Sequence, residues 1–309
     1  MTSAQPGIFA MGTRSHYQLE LDVNPAADQD SVIVALRDLR SSTVTAGGIN
    51  LVIGFGSKLW STIAPEGERP DAFGDFRPID GLDGMHAPAT QHDIWIWVHG
   101  TGEDIALDSA RAIAEVFAPV ATVALEQTCF VYKDSRDMTG FIDGSANPTI
   151  PEATTVACIP PGCAGEAGSF VIAQRWVHDL GAFHALAVEQ QEKVFGRTKA
   201  DSVEFDDEHK PADAHIARAE IDGPDGDEAE IFRRSTPYGR VGEVGLYFLG
   251  FSAEQWRFDK MLSRIYGTAE DGIRDRLLDF STAVSGAYYF APSIDALDKL
   301  IVPTDDAHH

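Results

Sequence analysis

Cysteine is scarce in this chain: three in 309 residues, Cys129, Cys158 and Cys163. None sits in a CxxC or CxxCH spacing, which argues against a covalently attached c-type haem and against an iron–sulfur cluster. Cys158 and Cys163 are close enough in sequence to be neighbours in space, but free thiols are the expected state in a reducing compartment. Long apolar runs are missing too. No stretch reaches the roughly 18 residues that span a bilayer. The opening Met1-Thr-Ser-Ala-Gln-Pro-Gly-Ile-Phe9 holds no basic segment, apolar core or twin arginine. A cytoplasmic protein with no membrane partner is the expectation. Positive charge is also in short supply: 24 Lys and Arg face 48 Asp and Glu, a formal charge of −24. A field of that sign repels nucleic acid and anionic membranes. A soluble acidic surface accounts for it, and cationic or neutral small molecules approach it more easily than anions.

What is present is globular: 44% hydrophobic residues and 23% charged, without a low-complexity tract. A chain this long can bury a large core and hold one large or two ordinary domains. The first half reads as β-α-β, a long loop, then β-α-β. Residues 15–23 alternate as a strand, Val32, Leu36 and Leu39 mark a helix ahead of Gly47-Gly48, and 49–56 is a second strand. A Pro-, Gly- and Asp-rich loop fills 64–90. Ile94-Trp-Ile-Trp-Val98 is apolar on both faces and so reads as a buried strand. Ile105, Ser109, Ala112 and Val116 mark a helix, and 121–132 a fourth strand.

The second half follows the same order. Strands are expected at 168–176, 244–251 and 287–291, and a helix at 186–195. A second helix opens on a Ser252/Gln255 capping box, buries Phe258, Leu262 and Ile265, and stops at Gly267. Two β-α-β-β-α-β units in series suggest an α+β, duplicated ferredoxin-like fold of the dimeric α+β barrel type. Two antiparallel sheets would lie face to face with helices outside. The halves share no residue-level repeat, so the duplication rests on element order. The expected division is 1–147 and 148–309. The linker is expected at 146–165, where Pro148, Pro151, Pro160 and Pro161 cluster.

Three stretches carry the chemistry. In Gly140-Phe-Ile-Asp-Gly144 an Asp-Gly pair makes a turn. Phe141 and Ile142 draw that turn inward, and the two glycines would let the backbone approach a flat ligand. In Ala214-His-Ile-Ala-Arg218 a histidine re-enters small apolar surroundings after the acidic Glu204-Phe-Asp-Asp-Glu-His209. Such a histidine needs a partner, and a metal would serve. In Phe232-Arg-Arg-Ser-Thr-Pro-Tyr-Gly239 adjacent arginines lie in an extended segment, so one of Arg233 and Arg234 points inward; the residues do not say which.

Together these stretches resemble the dye-decolourising peroxidase family, most closely its bacterial cytoplasmic B or P branch. The family's GxxDG matches Gly140–Gly144 and runs on to Asn147-Pro148. Its SHIxR-like histidine setting matches Ala214-His-Ile-Ala-Arg218, and its arginine before an (S/N)xPxG stretch matches Arg233. Gly196-Arg-Thr-Lys199, Asp201-Ser-Val-Glu204, Asp275-Arg-Leu-Leu-Asp-Phe280 and Tyr288-Tyr-Phe-Ala-Pro292 also look like the family. Ala214 stands where Ser is frequent, and Arg234 sits where members vary.

The resemblance implies one haem b per chain, with His215 as axial ligand and Asp143 and Arg233 as the distal pair. Asp275 is implied as the carboxylate on the histidine N–H, with Asp279 as competitor. Ile142, Gly144 and Ser145 would contact the haem and Arg197 a propionate. Leu249 and Phe251 would line the distal face, and Ser235 would hold a water. The implied function is a peroxidase that reduces hydrogen peroxide and oxidises dyes, phenols or other bulky reductants through a ferryl intermediate. A homo-oligomer is expected. The ending Ile301-Val-Pro-Thr-Asp-Asp-Ala-His-His309 lacks the apolar peptide that sends many members into an encapsulin shell. The alternative is a haem-binding or haem-trafficking protein with incidental peroxidase activity. Because a carboxylate (~3.9) stays basic at lower pH than a histidine (~6.5), turnover should favour acid; activity rising steadily from about pH 5 to 8 would count against that.

Overall fold

The computed structural model describes residues 2–43 and 48–302. Gly47 of the expected turn, and the tail 303–309 on which the shell-targeting expectation rests, lie outside them. In chain order the first half comprises β1 (Ser15–Val23), α1 (Gln29–Thr43), β2 (Ile49–Phe55), α2 (Ser57–Ile63), the short pair β3 (Ile79–Asp80) and β4 (His86–Ala87), β5 (Ile94–Gly100), α3 (Glu103–Phe117) and β6 (Ala121–Phe130). The second comprises α4 (Ile150–Ala157), β7 (Ser169–His178), α5 (Leu180–His184), α6 (Val188–Phe195), α7 (His215–Ala219), β8 (Phe232–Arg233), β9 (Thr236–Arg240), β10 (Glu243–Ser252), α8 (Trp256–Ile265), β11 (Ser281–Ala283), β12 (Ala287–Ala291) and α9 (Ile294–Ile301).

The strand order is β6-β1-β5-β2 in the first half and β12-β7-β10-β8 in the second, with β9 extending β8 along β10. Each half thus places its fourth strand beside its first and its third beside its second, all antiparallel, which is the ferredoxin-like order. The two sheets run into one through a single residue pair, Phe290 opposite Phe55. They also face each other. Trp95 and Trp97 on β5 meet Phe251 on β10 at ring-centroid distances of 6.2 and 6.1 Å, although those strands are remote in the strand order. The period of two along β5 feeds two cores. Ile94, Ile96 and Val98 enter the core under the helices, and Trp95 and Trp97 enter the core between the sheets.

Three expectations are corrected. The expected linker holds α4, whose capping box is Thr149 with Glu152, and Pro151 stands in its first turn, where its missing N–H costs nothing. The Ser252/Gln255 box does not form. Ser252 Oγ bonds the backbone of Glu254, and Gln255 Oε1 accepts from Gly74 N instead. The segment around the two arginines is the missing second strand of the second half, β8 and β9, its pairing hidden by its shortness.

Candidate active site

A cavity opens on the helix side of the second sheet, bordered by β7 and β10, by α7 and α8, and by the 137–146 loop. Its walls are largely apolar, with Phe195, Ile216, Ile231, Leu246, Phe248 and Leu262 among them. Asp143, His215 and Arg233 all line it, though they come from a loop, a helix N-terminus and a strand.

The loop that carries Asp143 is held from both ends. Asp143 N donates to Ser135 O at 2.9 Å, and Asp137 N to Phe141 O at 2.8 Å. Gly140 and Gly144 have φ of 93° and 78°, a region that costs a side chain strain. Gly140 does not border the cavity; a Cβ there would meet the Lys199 side chain. Its need is therefore the turn, while Gly144, Ile142 and Ser145 do line the cavity. Ser145 Oγ is paired with Ser202 Oγ at 2.8 Å. Burial pushes the Asp143 carboxyl up. Arg233 opposes that rise, Asp137 adds to it, and the Gly144 N–H and His215 oppose it further.

His215 begins α7, between the buried Ala214 and Ile216. Its Nδ1 lies 2.6 Å from Asp275 Oδ2, which leaves Nε2 for the cavity. Asp275 is 1% exposed, and its other oxygen accepts from Leu277 N at 2.7 Å. Asp279 is instead taken by Arg274 Nη2 at 2.7 Å. The edge of Phe195 meets the imidazole at 6.0 Å.

The two arginines diverge. Arg233 faces the cavity, and its backbone is gripped by Asn147: Nδ2 donates to Arg233 O at 2.8 Å, and Oδ1 accepts from Arg233 N at 3.0 Å. Arg234 turns to the opposite face, donates to Ile8 O and Ala10 O, and lies 5.0 Å over the Trp97 ring. Ser235 and Arg197 line the cavity, and Arg197 Nη2 also holds Glu204 at 3.0 Å. Leu249 and Phe251 do not line it. They are fully buried in the core between the sheets, and Leu246 and Phe248 of the same strand take the cavity face. The register differs by an odd number of residues, which flips every side chain.

Several lining residues were not singled out from the sequence. Gln174 and Trp176 project from β7, Glu220, Glu228 and Glu230 stand at the wall, and Asp137 pairs with His178. Gln174 is fully buried, and among the described residues neither polar atom of its amide has a partner. Strand alternation from His178 back to Gln174 was the available signal; it needed the sheet face to be known.

The comparisons agree on one family. The family model described as Dyp-type peroxidase, C-terminal, matches residues 134–296, and the N-terminal one matches 29–131. A dye-decolorizing peroxidase of Rhodococcus erythropolis is 38% identical over 260 residues, 82% of this chain and 75% of that protein. The encapsulated DyP-type peroxidase from Mycobacterium smegmatis superposes with a TM-score of 0.90 at 31% identity, covering 98% of this chain and 99% of that one. A variant of DypB from Rhodococcus jostii RHA1 in complex with heme gives 0.86 at 31% identity, covering 94% and 96%.

Proposed function

The chain belongs to the Dyp-type peroxidase family and is a haem-dependent peroxidase; from that premise we propose that His215 would hold the haem iron and that Asp143 and Arg233 handle the peroxide. The observation that carries this reading is the meeting of those three residues, remote in sequence, around one cavity. The donor set fits a haem. A single imidazole offers Nε2 while a buried carboxylate holds Nδ1, the walls suit a flat apolar ring, and the unpartnered Gln174 amide faces the same space. One haem b per chain, once bound, supplies the redox centre at which hydrogen peroxide is reduced and a reducing substrate oxidised.

The protein's own groups do the rest. Asp275 accepts the His215 N–H, fixes the ring and raises its basicity. Asp143, when ionised, takes a proton from one peroxide oxygen and returns it to the other. Arg233, always charged, meets the negative charge that builds on the departing oxygen. Ile142, Gly144, Ser145, Ser235 and Arg197 line the same cavity; the first three would hold the haem's apolar body, Ser235 a water and Arg197 an acidic haem side chain. Family membership disfavours the alternative of a haem carrier with incidental reactivity.

Arg233 is the more damaging loss, because leaving-group charge must be met whichever group carries the proton. In stopped-flow mixing of the haem-loaded protein with peroxide, Arg233→Ala and Asp143→Ala should each slow the first spectral change by about a hundredfold or more, Arg233→Ala the most. Slowing in Asp143→Ala alone would reverse that ranking.

A division at residue 147, a cytoplasmic setting and a homo-oligomer complete the proposal. The division is supported by the first sheet's last strand ending at Phe130 and the second's first beginning at Ser169. The setting is supported by three free thiols and by the absence, among the described residues, of any helix long and apolar enough to cross a membrane. Limited proteolysis, cell fractionation and size-exclusion chromatography decide these three points in turn.

A further inference from the structure

Beside Asp143 lies a second polar group that the reaction above does not use. Four side chains from the distal loop, β7 and β11 form one chain: Ser281 Oγ to His178 Nδ1 at 2.8 Å, His178 Nε2 to Asp137 Oδ1 at 3.1 Å, and Asp137 Oδ2 to the Thr139 hydroxyl at 2.6 Å. Thr139 N also donates to Asp137 Oδ2 at 2.9 Å. Both ring nitrogens and both carboxylate oxygens are thereby satisfied. The side chains of His178 and Asp137 are only 6% and 11% exposed. A fully satisfied buried network is stiff, and in a low-dielectric setting its charges act over distance. All four residues line the cavity.

Asp137 and Asp143 lie on the same loop, and the Asp137 backbone closes the turn between them through Phe141 O and Gly140 N. We propose that the Asp137–His178 pair is a positioning device for Asp143, which holds the turn that carries it and sets the electrostatic field in which its carboxyl handles a proton. This rests on the assignment of Asp143 as the proton-handling group. The charged groups acting on Asp143 are Arg233 from β8, Asp137 from its own loop and His215 from α7. Those acting on Asp137 come from His178 on β7, with Thr139 on the loop. Burial works to raise the Asp137 carboxyl, but the bonds and charge from His178 and the bonds from Thr139 outweigh it and hold it at about 2. Asp137 is therefore negative throughout the working range, and its charge makes Asp143 hold its proton more firmly. His178 tempers that charge.

The test is the pH dependence of cyanide association with the ferric haem-loaded protein, followed as a shift of the Soret band. Hydrogen cyanide must give up its proton to the distal base, so association fails below the pH at which that base is protonated. Asp137→Asn keeps the size of the side chain and removes the charge, so the acid limb should move to lower pH by about half a unit or more. His178→Gln keeps hydrogen-bonding atoms but takes away the imidazole that tempers the Asp137 charge, so the limb should move the other way. Opposite shifts support the pair as a field-setting device; no shift in either, or slowing equal at all pH, overturns it and leaves a structural tie. Should Asp137→Asn not fold, the direction of the His178→Gln shift decides. Asp143→Asn separates the two readings: if the acid limb survives in that variant, the assignment of Asp143 has failed, not the pair.

Discussion

Single residues set opposing demands on pH. Of the ten histidines, only His215 had a local setting that marked it, apolar on both sides; its tie to Asp275, 60 residues on, could come only from the family match. His16 and His99 looked ordinary and are not. They stack at 5.4 Å in a buried cluster, with Arg234 nearby. Burial, then the Arg234 charge, takes His16 down to about 4, and burial takes His99 down to about 3, with His16 and Arg234 adding to it. Both folded values lie below the ordinary ~6.5, so the unfolded chain binds protons first as pH falls. Their contribution is whole above that value and is lost on the way down to about pH 4 for His16 and about pH 3 for His99. For His16 alone the loss at pH 5 is on the order of 2 kcal/mol. Urea unfolding at pH 7 and pH 5 should show a lower midpoint in acid, and His16→Gln, which still accepts from Trp97 Nε1, should shrink the difference. An unchanged difference in that variant would show the histidine to be charged already in the fold. Acid turnover, if the carboxylate mechanism holds, is therefore reached against a falling stability.

Elements were legible where their pattern was long and failed where it was short. The seven residues of β5 are buried end to end, as their two-sided apolar run required. In α8, Phe258, Leu262 and Ile265 line the buried face, and Gly267 follows it at a φ of 70°. By contrast β8 has two residues, and nothing local distinguishes them from a loop; pairing with β10 makes them a strand and points Arg233, not Arg234, to the cavity. The strand β10 failed differently. Apolar residues stand on both of its faces, Leu246 and Phe248 on one and Tyr247, Leu249 and Phe251 on the other, so alternation could not reveal which face meets the ligand. The two faces separate by mutation. Leu249→Ala should cost about 2–5 kcal/mol in unfolding free energy and leave the Soret band of the loaded protein in place. Leu246→Ala should do the reverse, shifting the band or weakening haem retention at small cost to the apoprotein. A Soret change confined to Leu249→Ala would return the ligand-facing role to that parity.

At the scale of the molecule, element order foretold two like halves, because each half repeats the same alternation of strand and helix. It could not foretell how they are tied. One pair of residues joins the sheets at their edge, and a buried carboxylate joins them across the core. Glu20 on β1 is fully buried; it accepts from Tyr289 Oη at 2.6 Å and Tyr247 Oη at 2.9 Å, both from the second half. Among the described residues no cation forms an ion pair with it. Burial raises its carboxyl, the Tyr289 bond, His92 and the Tyr247 bond oppose the rise, and Asp22 adds to it. A raised folded value reverses the sign found for the histidines. Burial, not the tyrosine bonds, makes the protonated form the favoured one in the fold, and its contribution is lost as pH rises through the folded value. Removing one partner from a buried polar group is costly, but a neutral group of the same shape is not. Glu20→Gln should therefore be at least as stable as the parent at pH 8, and should lose that standing as pH falls to 5. Paired denaturation midpoints at the two pH values measure it. If Glu20→Gln is weaker by the same amount at both, the two tyrosines hold an ionised carboxylate, and the halves are joined by a buried charge rather than by a buried acid.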